Sequence, residues 1–263
     1  MKLGFIGYGN MARAIVSGII GSGIINKQEI LVADAADAAV KNAAEQGLTV
    51  IADNQQLAEQ SDVLFLAVKP QFYAEVIAQI RDCIKTETVV VTIAPGWSLA
   101  KLAEAFGKEI KIVRTMPNTP AMVLEGMTAA CPNKNVSESE LNYVISLLQA
   151  FSQCAVVKEQ MIDAVIAVSG SSPAYVYMFI EALADGAVLY GMPRDLAYRF
   201  AAQAVLGSAK MVLETGLHPG ALKDMVCSPG GTTIESVRVL EERGLRSSVI
   251  EAMCACVEKS RNL

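Results

Sequence analysis

Histidine is nearly absent: His218 is the only one in 263 residues. The six cysteines, Cys83, Cys131, Cys154, Cys227, Cys254 and Cys256, show no C-x-x-C spacing. A zinc site of the usual His/Cys kind is therefore not expected, nor is any other metal. Scattered cysteines with mostly apolar neighbours fit a reducing cytoplasm. Basic charge is also short. Lys and Arg number 22 against 27 Asp and Glu, a formal net charge of −5, with no Lys/Arg run. That balance argues against a nucleic-acid surface. An uninterrupted membrane-length run is missing too. Residues 3–25, LGFIGYGNMARAIVSGIIGSGII, come nearest, but glycines, Asn10 and Arg13 break them up, and no A-x-A-like processing site stands out. The segment reads as strand, turn and helix rather than as a leader or a membrane span.

What is present is apolar: 52% of the residues are hydrophobic, enough for one large core or two smaller ones. The first half alternates short apolar runs with helical stretches. KLGFIG, EILVAD, LTVIA, SDVLFLAV, TVVVTIA and IKIVRTMP read as six strands; MTAACP and CAVVK have no assigned place in the order. Near-continuous apolar strands separated by helices indicate a parallel sheet covered on both faces. Beyond Asp163 no strand is evident. DAVIAVSG, PAYVYMFIEALADGAVLYG, RDLAYRFAAQAVLGSAKMVLETG, residues 234–243 and LRSSVIEAMCACVEKSR read as helices, with Pro193 near one start and Gly216 at a stop. The expected architecture is α/β: a Rossmann-type doubly wound sheet over residues 1–160, then an all-helical unit over 161–263. Residues 173–191 are apolar nearly all round, apart from Glu181 and Asp185. Such a helix needs cover on every side, so the helical unit is expected to join subunits into a homodimer or larger assembly.

GYGNMA, Gly7–Ala12, follows a strand, opens a helix and matches G-x-G-x-x-G/A. Gly7 permits the tight turn, Gly9 lets the backbone approach a pyrophosphate, and Ala12 allows close helix–sheet packing. Tyr8, Asn10 and Met11 complete the loop, whose helix N-terminus offers free N–H groups and a positive dipole end. Asp34 ends the second strand, where an acidic residue meets the adenine ribose of NAD; the alternative is that it caps the next helix. Asn54, after the third strand, is a second candidate for the adenosine half. AVKPQ, with Ala67, Val68, Lys69 and Pro70, and IAPG, with Ala94, end the fourth and fifth strands, where ligands of open parallel sheets lie. Lys69 has three readings: cofactor phosphate, substrate carboxylate or a solvated loop.

In SPGGTT, Ser228–Thr233, a proline and two glycines precede a helix. Ser228 suits an N-cap and Pro229 the first helical position. Gly230, Gly231 and Thr232 then leave N–H groups at a helix end with no side chain in the way, a nest for a small anion.

GYGNMA, AVKPQ, MPNTP (116–120), SGSSPAY (169–175), GMPRDLA (191–197) and HPGALKDMVCSPGGTT (218–233) together resemble the pyrroline-5-carboxylate reductase family, across essentially the whole chain. The resemblance implies hydride transfer from NADP(H) or NAD(H) to a small cyclic imine, yielding L-proline. It implies a helical domain through which subunits dimerise, and places Asn118 of MPNTP at the cofactor. It also puts the substrate carboxylate on the SPGG loop and the ring nitrogen against Thr233. Two departures stand out: Ser172 replaces the usual glycine of S-G-S-G-P-A-Y, and ADAAD after the second strand lacks the Ser/Asn-plus-Arg pattern that goes with a 2′-phosphate. The choice of dinucleotide is therefore open. A β-hydroxyacid dehydrogenase should carry a lysine after the SGSS turn, and residues 173–190 have none. His218, before Pro-Gly, orders a loop rather than moves a proton, and Glu181 and Asp185 read as anchoring or interface groups.

Overall fold

The computed structural model describes residues 1–262, which form two units: Met1–Ser171 with the C-terminal segment from Cys256, and Ser172–Ala255. In the first unit β1 (Leu3–Ile6), α1 (Asn10–Ser22), β2 (Ile30–Ala33), α2 (Asp37–Glu45), β3 (Thr49–Val50), α3 (Asn54–Gln60) and β4 (Val63–Leu66) open the chain. Next come α4 (Tyr73–Ile80), β5 (Val89–Thr92), α5 (Leu99–Phe106), β6 (Lys111–Met116), β7 (Gly126–Pro132), α6 (Glu138–Gln149) and β8 (Ser152–Val156). The sheet order is β3-β2-β1-β4-β5-β6-β7-β8. The chain runs outward through β2 and β3, then returns to lay β4 against β1 with Leu3 opposite Val63. That reversal leaves a crevice beyond the carboxyl ends of β1 and β4.

Every residue of β1, β2, β4 and β5 is buried, as expected where helices cover both faces. On one side Phe5 and Val32 pack with Ile15 and Ile19 of α1 and Leu147 of α6; on the other Ile6 and Leu66 pack with Leu57 of α3, Ile77 of α4 and Leu102 of α5. Phe5 and Phe65 stack across neighbouring strands with centroids 4.6 Å apart.

MTAACP and CAVVK form β7 and β8, and β7 runs antiparallel to β6. Residues 117–125, with a short 3-10 helix at Thr119–Val123, are all that joins Met116 to Gly126, and a parallel crossover needs a dozen or more residues. DAVIAVSG begins as α7 (Ile162–Val165) and widens over Ile166–Gly170, where the Ser171 N–H reaches back to the Ile166 carbonyl at 2.8 Å.

The second unit has no strand among its described residues. Its helices are α8 (Ser172–Leu189), α9 (Arg194–Thr215), α10 (Pro219–Val226), α11 (Thr232–Glu242) and α12 (Leu245–Arg261), the last running on into the first unit's C-terminal segment. Gly191 (φ +90) turns the chain between α8 and α9, Gly216 (φ +65) closes α9, and Asp185 pairs with Arg194 across the hairpin. The short helix α10 has no counterpart in the sequence reading. His218 builds it: its Nδ1 accepts the Gly220 N–H at 3.0 Å, with Pro219 in the first turn. Buried apolar residues of this unit are few and small, namely Ala184, Ala197 and Ala201. Met178, Leu189 and Tyr190 are 67%, 80% and 91% exposed, and Tyr177, Phe179 and Phe200 are exposed as well. Among the described residues no helix is long and apolar enough to cross a membrane.

Candidate active site

The cleft beyond β1 and β4 starts from Gly7. Its N–H donates to the Ala33 carbonyl at 2.8 Å, and the Ala67 N–H donates to Ile6 at 2.8 Å, so the ends of β1, β2 and β4 are tied together. Gly7 sits at φ +95, and a Cβ there would lie 2.7 Å from the Ala67 carbonyl carbon and 2.8 Å from the Val68 nitrogen. Conformation and space both demand glycine. Gly9 is different. It caps α1 in an extended conformation (φ −76, ψ −171), and a Cβ on it would meet nothing within 4 Å. Its missing side chain leaves open the approach to the first-turn N–H groups of Asn10, Met11 and Ala12, which have no acceptor within the helix. Ala12 is buried in the core.

Asp34 ties the second strand to this loop. Its Oδ2 accepts the Tyr8 N–H at 2.6 Å and its Oδ1 the Ala36 N–H at 2.8 Å. It is not the cap of α2, because Ala36 holds that position without a side-chain bond. The Tyr8 ring turns inward: 1% exposed, its hydroxyl donates to Gln46 at 2.8 Å, and burial pushes its pKa up, partly offset by Arg13. Asn54 opens α3 and donates to Gln79 of α4 at 2.7 Å. Lys69 precedes a single turn at Pro70–Phe72, fixed where the Pro70 carbonyl accepts the Trp97 indole N–H at 3.1 Å. Trp97 lies against Tyr73, whose buried hydroxyl donates to Leu66 at 2.6 Å and whose pKa is pushed far up by desolvation.

The ends of these strands and the loops after them border a cleft of ≈ 410 Å³. Gly7, Gly9, Asp34, Asn54, Ala67, Val68 and Lys69 line it. Tyr8, Asn10, Met11, Ala12, Pro70, Ala94 and Asn118 do not. Ala94 is buried in the apolar core. Asn118 is held at both ends, its amide N–H donating to Ser169 at 3.1 Å and its oxygen accepting the Met127 N–H at 2.8 Å. The sequence reading missed one wall: Phe72, Glu75, Val76 and Gln79 also line the cleft. Their i, i+3, i+4, i+7 spacing marks one helical face and was legible in FYAEVIAQ. A glycine turn, a free helix N-terminus and an adjoining cleft of this size fit a dinucleotide. Among the described residues no group of three His, Cys, Asp or Glu side chains could hold a metal ion.

In the second unit the SPGG loop departs from expectation. Ser228 is not the cap of α11 and Pro229 not its first residue. Gly230 adopts φ +68, which interrupts helical geometry, and the Gly231 N–H closes a turn onto the Ser228 carbonyl at 3.0 Å. Gly231 is the cap, with no side-chain bond, and the helix begins at Thr232. The donors left at the helix end are the N–H groups of Thr232, Thr233 and Ile234 rather than that of Gly231. Thr233 is half-buried, while Ser228, Gly230 and Thr232 are exposed. The Glu235 carboxylate in the same turn is paired with Arg238 at 2.8 Å.

A family model for pyrroline-5-carboxylate reductase dimerisation matches residues 159–263, and one described as NADP oxidoreductase, coenzyme F420-dependent, matches residues 2–96. The chain is 53% identical to pyrroline-5-carboxylate reductase of Escherichia coli K12, over all of this chain and 98% of that one. A pyrroline-5-carboxylate reductase structure from Coxiella burnetii superposes with a TM-score of 0.93 at 36% identity, over 99% of this chain and 97% of that one. A Plasmodium falciparum pyrroline carboxylate reductase with NADP bound gives 0.90 at 34% identity, over 100% and 97%.

Proposed function

The chain belongs to the pyrroline-5-carboxylate reductase family, and from that premise we propose how its residues divide the work. The protein reduces 1-pyrroline-5-carboxylate to L-proline, the last step of proline biosynthesis, with NAD(P)H as reductant. Bound in the cleft, the dinucleotide supplies the hydride; the chain binds, orients and excludes water. Residues 1–160 serve as the dinucleotide domain and 161–263 as the substrate-binding and dimerisation domain. Gly7–Ala12 hold the pyrophosphate, Asp34 and Asn54 serve the adenosine half, and Ala67–Pro70, Ala94 and Asn118 serve the nicotinamide half. The open space at the Gly9 Cβ position supports this reading most directly.

The SPGG loop takes the substrate. Ser228, Gly230 and Gly231 shape the turn, and the N–H groups of Thr232 and Thr233 receive the carboxylate. The Thr233 hydroxyl hydrogen-bonds the ring nitrogen. No lysine or histidine is needed as proton donor, since a protonated imine already accepts hydride well and positioning supplies much of the rate. The exposed aromatic and aliphatic face of α8 and α9 supports a homo-oligomer joined through the helical unit. Six free cysteines support a cytoplasmic setting, and a net charge of −5 supports the absence of a nucleic-acid partner. Oxidation of NADH or NADPH followed at the nicotinamide absorbance, with and without pyrroline-5-carboxylate, tests the function; no imine-dependent oxidation with either cofactor refutes it.

A further inference from the structure

We propose that this chain takes NADH in preference to NADPH and that Asp34 makes the choice. The proposal rests on the reading of the first unit's cleft as a dinucleotide site. In sheets of this kind the residue ending the second strand meets the adenine ribose, whose 2′ position is a hydroxyl in NAD and a phosphate in NADP. Asp34 stands there and lines the cleft. Both of its oxygens are held by backbone donors, Tyr8 N–H at 2.6 Å and Ala36 N–H at 2.8 Å. The carboxylate cannot swing aside for a phosphate without releasing both bonds, one of which braces the glycine loop. Each oxygen keeps acceptor capacity for a sugar hydroxyl after taking one N–H. The residue therefore has room for a diol and none for a second anion.

Nothing nearby in the sequence reverses that sign. Residues 35–38 are Ala-Ala-Asp-Ala, with no hydroxyl, amide or cation to greet a phosphate. The N-terminus of α2, which would otherwise attract an anion, carries the carboxylate of Asp37 in its first turn. Lys41, further along α2, faces Glu45 at 3.9 Å. On the opposite wall α4 contributes Glu75 and Gln79, so Lys69 is the one cation against two carboxylates among the residues lining the cleft. A dianionic 2′-phosphate would enter a region of net negative charge.

The test is equilibrium binding to the intact protein without imine, read by nicotinamide fluorescence and by calorimetry. Calorimetry with 5′-AMP and 2′,5′-ADP isolates the adenosine half. Wild type is expected to bind NADH and 5′-AMP about ten- to a hundred-fold more tightly than NADPH and 2′,5′-ADP. Asp34→Asn keeps an acceptor for the Tyr8 N–H and removes the charge; the ratio should fall to about one. Ala35→Arg leaves Asp34 and its two bonds in place and adds a guanidinium on the cleft wall. It should tighten NADPH by about tenfold or more and leave NADH nearly unchanged. Binding of NADPH by wild type as tightly as NADH overturns the proposal, as does a wild-type ratio in both variants. Failure to bind either dinucleotide overturns the cleft reading as well, which separates the two failures.

Discussion

Gly7 and Gly9 are two residues apart in one loop, yet a side chain should act on them in opposite ways. At Gly7 the backbone is left-handed and a Cβ would sit 2.7 Å from the Ala67 carbonyl carbon. Gly7→Ala therefore combines a conformational cost of ~1–2 kcal/mol with an overlap against the Ala67–Val68 backbone of ~1–3 kcal/mol. The total, about 2–5 kcal/mol, is a large share of the ~5–15 kcal/mol that holds a typical protein folded. At Gly9 the conformation is open to any residue and a Cβ meets nothing within 4 Å. Gly9→Val should cost stability only ~1 kcal/mol, from replacing a good cap residue with a poor one. Its methyl groups would instead occupy the approach to the first-turn N–H groups. Losing two hydrogen bonds to a pyrophosphate, at ~1.5–3 kcal/mol each, weakens dinucleotide binding by about a hundred-fold to ten-thousand-fold. Thermal unfolding without ligand and titration of nicotinamide fluorescence, run on both variants, read the two effects separately. A Gly9→Val protein that binds dinucleotide like wild type would remove this loop from the site. A Gly7→Ala protein with unchanged Tm would refute the steric argument.

Thr233→Val keeps shape and the backbone donors but deletes the hydroxyl; kcat/KM for the imine should fall about ten- to a hundred-fold, and a normal rate would make the hydroxyl structural. Leu183→Arg puts a charge on the outward face of α8, 42% exposed in the single chain, and light scattering should show monomers or aggregates, whereas an oligomer of unchanged mass would locate the interface elsewhere. Glu140 is pushed up by burial but pulled further down by Lys111 at 2.5 Å and by the Ser137 capping box, so its carboxyl lies below the usual range. A depressed folded pKa stabilises above the unfolded value and is lost as pH falls through the folded one. Glu140→Ala should thus cost about 1 kcal/mol at neutral pH, and denaturant titrations should show the gap to wild type narrowing in acid; a pH-independent gap would refute the linkage.

What the sequence made legible was local. Leu3–Ile6 with Gly7 and Gly9, or Asp34 at the end of an apolar run, carry their meaning within a few residues. The direction of β7 follows from how little chain joins it to β6, a matter of reach rather than pattern. The wall made by Phe72, Glu75, Val76 and Gln79 required placing α4 against the crevice, although its helical face was written in the sequence. The shifted start of α11 is the instructive miss. Ser228 and Pro229 have the residue types of a cap and a first turn, but Gly230 chose a left-handed conformation that composition alone does not reveal. His218 carries a signal for α10, a capping side chain before Pro-Gly, that the loop-ordering expectation leaves unused.

The α8–α9 hairpin closes on alanines and turns its large side chains outward. Its completion is then governed by mass action. With subunits joined there as proposed, dilution would expose apolar surface that the single chain cannot hide, so melting temperature should climb with protein concentration. In a cell making two versions of this polypeptide, a copy damaged elsewhere but with an intact hairpin would still enter mixed assemblies, and one bad copy would outweigh its share.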